Sequence, residues 1–110
     1  MKSLFGFMSI GPPKHHLTVL AGLRARPGQQ DCLLKLLRDM VTKTRREKGC
    51  ICYILHQSEK DSELFTIYQT WECEEYLNAH ANTPHVQSFG AAVPNMLEGR
   101  ILHTHWRILN

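Results

Sequence analysis

The stretches Cys50-Ile-Cys-Tyr-Ile-Leu-His56 and Leu64-Phe-Thr-Ile-Tyr-Gln-Thr-Trp71 lie on either side of a short polar segment. Both are rich in β-branched and aromatic residues and alternate with the two-residue period of a strand. The segment between them, Ser58-Glu-Lys-Asp-Ser62, is typical turn material. The sequence therefore predicts an antiparallel hairpin whose second strand ends at Trp71.

Two more alternating runs lie outside this hairpin. Residues 16–25 alternate until Pro27-Gly28, and residues 100–109 alternate after Gly99. Each run is predicted to be a strand, so one strand precedes the hairpin and one follows it.

Helical patterns separate these strands. Residues 29–48 carry apolar side chains at helical spacing, and Gly49 supplies a stop. A short helix is predicted over residues 72–81, and Thr83-Pro84 begins another by placing a capping hydroxyl before a proline. The order β-α-β-β-α-β predicts an α+β domain with the split βαβ, or ferredoxin-like, arrangement and an antiparallel sheet.

The composition is that of an ordinary globular domain. The chain has 110 residues, of which 43% are hydrophobic and 21% charged, with a formal net charge of +3. We expect an N-terminal arm over residues 1–15 and one domain over residues 16–110. The first residues lack the continuous apolar core and cleavage site of a signal peptide, and no stretch approaches the roughly 20 apolar residues of a membrane span. A cytoplasmic protein without a membrane partner is therefore expected.

Charge and cysteine patterns exclude two other classes of protein. The basic residues between Lys43 and Lys48 lie at a predicted helix end, where they complement the negative end of the helix dipole. No aromatic residues are interleaved with them, so a nucleic-acid partner is not expected. The four cysteines do not have the spacing of a secreted disulfide scaffold and are expected to be reduced thiols. They are Cys32, Cys50, Cys52 and Cys73.

Apolar residues occur on both faces of the predicted strands. In this topology the helices cover one face of the sheet, and an open second face would normally be polar. The simplest way to bury this second face is a second copy of the chain, packed sheet to sheet through a two-fold interface. A monomer with a half-polar face is the alternative. In the second strand Ile51, Tyr53 and Leu55 are expected on one side and Cys50, Cys52 and Ile54 on the other. In the last strand Leu102, Trp106 and Ile108 are expected opposite Ile101 and Leu109.

Five short motifs occur in order along the chain. They are Leu17-Thr-Val-Leu-Ala-Gly-Leu-Arg-Ala-Arg-Pro-Gly28, Glu47-Lys-Gly-Cys50, Tyr68-Gln-Thr-Trp-Glu72, Ala79-His80 and Thr83-Pro-His85. Together they resemble the antibiotic biosynthesis monooxygenase superfamily, and most closely its quinol monooxygenase branch. The resemblance covers residues 17–109. It implies a dimeric α+β barrel with a pocket between sheet and helices in each subunit.

The resemblance also implies a chemistry, in which an aromatic substrate reacts with O2 without flavin or metal. The substrate supplies the electrons, so the protein has to take a proton, hold the ring and exclude water. The sequence contains no glycine-rich dinucleotide fingerprint or P-loop, and no cofactor is expected. The expected partners are a small aromatic substrate and O2.

Residues around the end of the hairpin suit these tasks. His80 is the natural proton acceptor near neutral pH, and Trp71 offers an aromatic wall and an indole donor. Tyr76 lies one helical turn before His80 and can orient the imidazole, while His85 can bind an anionic substrate oxygen. The candidate catalytic residues are His80, Trp71 and Tyr76. The candidate substrate-binding residues are Phe65, Ile67, Gln69, His85 and Phe89.

One position departs from the family pattern. Some relatives have an asparagine four residues before the tryptophan, where this chain has Ile67, and Gln69 on the same face can supply a carboxamide instead. This change favours a dimer without turnover and disfavours haem degradation. Two alternatives stay open beside a quinol monooxygenase. They are a ligand-binding or stress-associated dimer without turnover, and a haem-binding or haem-degrading member of the superfamily.

The histidines of the last predicted strand and the cysteines are candidates for metal or thiol chemistry. His103-Thr-His105 supplies half of a metal site but has no carboxylate at a ligand-like spacing, so no metal site is expected and the two histidines are assigned to the dimer face. Cys50 and Cys52 are interpreted as small strand residues rather than nucleophiles, with no acyl-transfer motif beside them.

Overall fold

The computed structural model describes residues 16–110, and the predicted arm over residues 1–15 lies outside them. The order of elements confirms the ferredoxin-like prediction, with two helices between the third and fourth strands. The elements are β1 (Leu17–Arg24), α1 (Gln30–Thr44), β2 (Cys50–Gln57), β3 (Leu64–Trp71), α2 (Glu74–Ala81), α3 (Pro84–Ala92) and β4 (Leu102–Arg107).

The four strands form one antiparallel sheet in the order β2-β3-β1-β4. The predicted hairpin is β2-β3, and β1 pairs with β3 on one side and β4 on the other. One face of the sheet packs against the helices, and α1 contributes Leu33 and Leu37, which are completely buried. The predicted apolar stripe of this helix is confirmed, because Met40 and Thr44 are buried on the same side.

Helix α1 is shorter than predicted. The sequence predicted a helix to residue 48, but the helix ends at Thr44. Residues 45–49 form tight turns in which the N–H of Glu47 donates to the carbonyl of Thr44 at 2.9 Å. Lys, Arg and Glu favour helices, so local propensity could not show this early end. The turns direct Glu47 inward, whereas the sequence had placed it among solvated charges.

The face assignment at the start of β2 was wrong. Cys50 pairs with Trp71 and Cys52 with Thr70, so Ile51 is the extra residue of a β-bulge. Ile51 is consequently exposed, and Cys50 instead packs beside the core with Tyr53. A one-residue insertion exchanges the two faces, and simple alternation cannot detect it.

The outer face of the sheet carries exposed apolar side chains, as predicted. Ile54, Tyr68, Leu102 and Trp106 all lie there, and Trp106 is 56% exposed. The side chains that face away from the helices on β1 and β3 include the buried threonines Thr18 and Thr70.

The assignment of the two β4 histidines to this outer face was wrong. His103 pairs with Ala21 and His105 with Val19, and both partners are buried on the helix side of the sheet. Because side chains alternate, the register that turns Trp106 outward turns both histidines inward.

The start of α3 follows the predicted capping chemistry. The hydroxyl of Thr83 accepts a hydrogen bond from the N–H of Val86 at 3.4 Å, and Pro84 occupies the first turn. The same hydroxyl donates to the carbonyl of His80 at 2.8 Å. Thr83 therefore fixes the junction between α2 and α3.

Among residues 16–110, no helix has both the length and the apolar character needed to cross a bilayer.

Candidate active site

A cavity of about 360 Å³ lies between the inner face of the sheet and the helices. This volume is at the small end of the range of about 300–1,000 Å³ for ligand pockets. The walls are mostly apolar, and all four strands or their flanks contribute. Those apolar wall residues include Val19, Ala21, Leu23, Met40, Ile67, Leu77, Val86, Phe89 and Ile101. The cavity occurs where the family resemblance implied a pocket.

A few polar groups converge on this apolar space. His80 from α2, Gln69 from β3 and the β4 histidines all line it. The pKa of His103 lies below its ordinary value because of burial and of the neighbouring imidazoles of His105 and His80. This shift favours the neutral ring, which can donate a hydrogen bond from one nitrogen and accept one at the other. The sequence placed both β4 histidines on the wrong face, so it missed them as cavity residues.

A carboxylate holds His80 in position. Oε2 of Glu47 lies 2.8 Å from Nδ1 of His80 and 2.6 Å from Nε2 of His85. The three side chains keep only 10%, 13% and 14% of their surface exposed, for His80, Glu47 and His85 respectively. A buried carboxylate is costly without partners, and two imidazole donors satisfy it here.

This arrangement selects one tautomer of His80. An ionised carboxylate only accepts hydrogen bonds, so we assign the proton of the neutral ring to Nδ1. Nε2 then carries the lone pair, and it is the ring nitrogen left for a molecule in the cavity. The structure thus gives His80 the form that a proton acceptor needs.

Trp71 lies behind the cavity wall rather than in it. Its side chain is completely buried, and its Nε1 donates to Oε1 of Gln69 at 2.8 Å. The indole and the His80 imidazole have ring centroids 4.8 Å apart. Trp71 therefore supports His80 from behind and fixes the carboxamide of Gln69, whose NH2 group remains available.

Tyr76 occupies a different place from the one that helical spacing indicated. Its ring packs against Gly49, and Nζ of Lys48 lies 5.8 Å from the ring centroid. The position beside Nδ1 of His80 belongs to Glu47, so the carboxylate orients the imidazole.

The predicted substrate-binding residues divide into two groups. Ile67, Gln69 and Phe89 line the cavity together with His80. Phe65 lies in the core outside this lining, and His85 lies beyond Glu47, where it lines a separate groove of about 400 Å³ between α1 and α3. The structure thus brings four of the predicted residues to one space and adds His103 and His105 to its lining. Glu47 contacts His80 from outside this lining.

Glu47, His80 and His85 also form a set that could hold a metal ion. Their ligand atoms all lie within 4.8 Å of one another. Sequence reasoning missed this set because Glu47 looked like part of a solvated helix end. The motif Glu47-Lys-Gly-Cys50 was the available signal, since the glycine stop allows the chain to turn the glutamate inward.

The described cysteines offer no activated nucleophile near the cavity. Burial, with a smaller effect from Cys52, raises the pKa of the Cys50 thiol to about 12. A thiol with such a pKa is fully protonated at neutral pH and is a poor nucleophile. This agrees with the interpretation of Cys50 as a packing residue.

Comparisons with known proteins agree with the fold. A family model described as antibiotic biosynthesis monooxygenase matches residues 16–92. YgiN of Escherichia coli K12, named a probable quinol monooxygenase, is 33% identical over 104 residues, covering 84% of this chain and 95% of YgiN.

Solved structures give the same result. PA3566 from Pseudomonas aeruginosa has a TM-score of 0.84 and 32% identity, covering 91% of this chain and 100% of that one. Rv0793 from Mycobacterium tuberculosis has a TM-score of 0.82 and 27% identity, covering 86% of this chain and 96% of that one. The resemblance seen in the sequence is confirmed, and the chain belongs to the antibiotic biosynthesis monooxygenase family.

Proposed function

We propose that this protein is a cofactor-independent monooxygenase that oxidises quinols or related electron-rich aromatic molecules with O2. The observation that carries the proposal is the buried His80, whose Nδ1 is held by Glu47 while the ring borders a compact apolar cavity. The name of YgiN supports the same substrate class.

The reaction begins with proton transfer. His80 accepts the proton of a quinol hydroxyl at Nε2, and the resulting anion gives one electron to O2. Recombination of the radical pair forms a C–O bond to a peroxide, and cleavage of its O–O bond releases water with one oxygen atom. The other oxygen atom stays on the ring, and the product is a hydroxyquinone. The reduction of O2 takes four electrons. Oxidation of the quinol to the quinone supplies two of them and hydroxylation of the ring supplies the other two, so no external reductant is needed.

The remaining cavity residues hold the ring. Ile67 and Phe89 form apolar walls, and the free NH2 group of Gln69 can donate to a substrate oxygen. His103 lines the cavity from β4 and can form a hydrogen bond with a second oxygen on the ring. Fixing the ring in this way lowers the entropic cost of the encounter with O2.

Oxygen uptake tests the proposal. Chelator-treated protein is mixed with chemically reduced quinones of one and two rings in an oxygen electrode, and the product is identified by mass spectrometry after reaction in ¹⁸O2. We expect uptake above the rate of spontaneous quinol oxidation and one labelled oxygen atom in the product. Quinol binding by calorimetry without oxygen uptake would instead indicate a ligand-binding protein, and a shifted Soret band on haem addition would indicate a haem protein.

The outer face of the sheet supports a further part of the proposal, a homodimer packed sheet to sheet. Exposed Ile54, Tyr68, Leu102 and Trp106 share this face, and aromatic residues at the centre of an interface carry much of its binding energy. The described cysteines are free thiols, which suits a reducing cytoplasm.

We expect Trp106→Glu to convert the dimer to a monomer, because it removes an interface aromatic residue and adds a buried charge. Sedimentation velocity at several protein concentrations measures the change. Lys35→Glu, which adds the same acid to the exposed side of α1, is the control and should remain dimeric. A wild-type protein that sediments as a monomer at all concentrations would contradict the dimer.

A further inference from the structure

We propose that Glu47, His80 and His85 form a binding site for a divalent transition metal ion, Zn²⁺ by preference, which blocks the active site. The three residues offer one carboxylate oxygen and two imidazole nitrogens within 4.8 Å of one another. Two histidines and one carboxylate, with a fourth position left open, form a ligand set that zinc uses in proteins.

Each ligand is supplied by a different part of the fold. Glu47 follows α1, His80 lies in α2, and His85 lies in the first turn of α3. Thr83 fixes the junction that carries both histidines, since its hydroxyl donates to the carbonyl of His80 and accepts from the N–H of Val86.

Only a small movement separates the present arrangement from a metal complex. The carboxylate oxygen lies 2.8 and 2.6 Å from the two ring nitrogens. Ligands of a tetrahedral zinc ion at about 2.0–2.1 Å are about 3.3 Å apart. The carboxylate oxygen therefore has to move away from the two nitrogens by about 0.5 and 0.7 Å, and the two nitrogens, which lie within 4.8 Å, have to come to about 3.3 Å from one another. In the hydrogen-bonded cluster the ligand atoms therefore contact one another in the place where a metal ion would bind.

Charge and access both favour a cation. Glu47 brings a carboxylate into a largely buried place, where a bound cation can offset its charge. The groove between α1 and α3 reaches His85, and it provides an entry path that does not pass through the cavity. Nitrogen ligands favour Zn²⁺ over Mg²⁺ or Ca²⁺, which prefer all-oxygen sites.

Metal binding has a consequence for the chemistry, which rests on the proposed function. A metal ion on Nδ1 of His80 moves the ring proton to Nε2, so the nitrogen that borders the cavity becomes a donor. His80 can then no longer accept a proton from a quinol. Zn²⁺ should therefore inhibit oxygen uptake, and a chelator should restore it.

Calorimetry with ZnCl2 on the chelator-treated full chain tests the site itself. We expect one ion per chain in the wild type. In both Glu47→Gln and His85→Gln the affinity for Zn²⁺ should be at least about tenfold weaker than in the wild type. Glu59→Gln, which makes the same replacement at an exposed position in the turn between β2 and β3, is the matched control and should bind as the wild type does. A wild-type protein that does not bind Zn²⁺, or one whose binding is lost in His105→Gln and kept in Glu47→Gln, would overturn the proposal.

Cobalt gives a second measurement that needs no variant. Co²⁺ bound in place of Zn²⁺ should show the intense visible absorption of a four-coordinate site and should be displaced by one equivalent of Zn²⁺. A spectrum no different from that of aqueous Co²⁺ would count against the site. If the protein consumes no oxygen with any quinol, the proposed function fails, whereas calorimetry and the cobalt spectrum still decide whether the metal site exists.

Discussion

We expect His80→Gln to lower quinol-dependent oxygen uptake by about 10²–10⁴-fold, the range found when a general acid or base is removed. Glutamine is polar and can still donate to Glu47, so the cluster keeps a hydrogen bond, but its amide cannot take a proton. The oxygen electrode gives kcat and KM, and circular dichroism shows whether the variant is folded. Glu59→Gln, at an exposed position in the turn between β2 and β3, is the control and should keep full activity.

Glu47 acts through His80, and this can be separated from a merely structural role. Glu47→Gln should lower kcat while KM stays nearly unchanged, because the carboxylate orients the imidazole and does not line the cavity. In the His80→Gln background the same change should have no further effect on kcat. Equal losses in both backgrounds would show that Glu47 supports the fold rather than the base. A fully active His80→Gln protein would remove His80 from the mechanism.

The second large effect is on stability. We expect Gly49→Ala to destabilise the protein by about 2–5 kcal/mol, for two reasons that add. Gly49 has φ +85°, in the left-handed region, which costs a non-glycine residue about 1–2 kcal/mol. A Cβ there would also overlap the ring of Tyr76, and overpacking of this kind costs about 1–3 kcal/mol.

Gly28→Ala is the matched control for this substitution. Gly28 has φ +83°, but a Cβ added to it meets no atom within 4 Å. It should therefore lose only the backbone contribution, about 1–2 kcal/mol. Urea unfolding followed by circular dichroism gives both free energies. Equal losses in the two variants would show that Tyr76 moves away at no cost and that its packing does not restrain the turn.

The turn at Gly49 connects this stability to the site. It lies two residues after Glu47, and the carbonyl of Gly49 accepts a hydrogen bond from the N–H of Glu72 at 2.9 Å. Movement of this turn would therefore shift the carboxylate that orients His80. We therefore expect the folded fraction of Gly49→Ala to have a lower activity per molecule than Gly28→Ala.

Much of the architecture followed from local patterns. Alternation predicted the four strands, helical spacing predicted Leu33 and Leu37 as core residues, and Thr83-Pro84 predicted the start of α3. These succeeded because period, capping and turn chemistry act over a few neighbouring residues. The errors occurred where distant contacts outweigh local preference. The early end of α1 and the bulge at Ile51 are both of this kind.

The sequence by itself determined the ferredoxin-like fold, the family and the candidates His80, Ile67, Gln69 and Phe89, since each depends on local spacing or on a motif read in order. Only the tertiary structure decided which groups meet His80. Glu47 is separated from it by 33 positions, and the β4 histidines reach the cavity only through strand register. Sequence spacing carries no information about such encounters, because they are set by how helices and strands pack in three dimensions. That packing turned an apparent surface glutamate into the residue that fixes the candidate base.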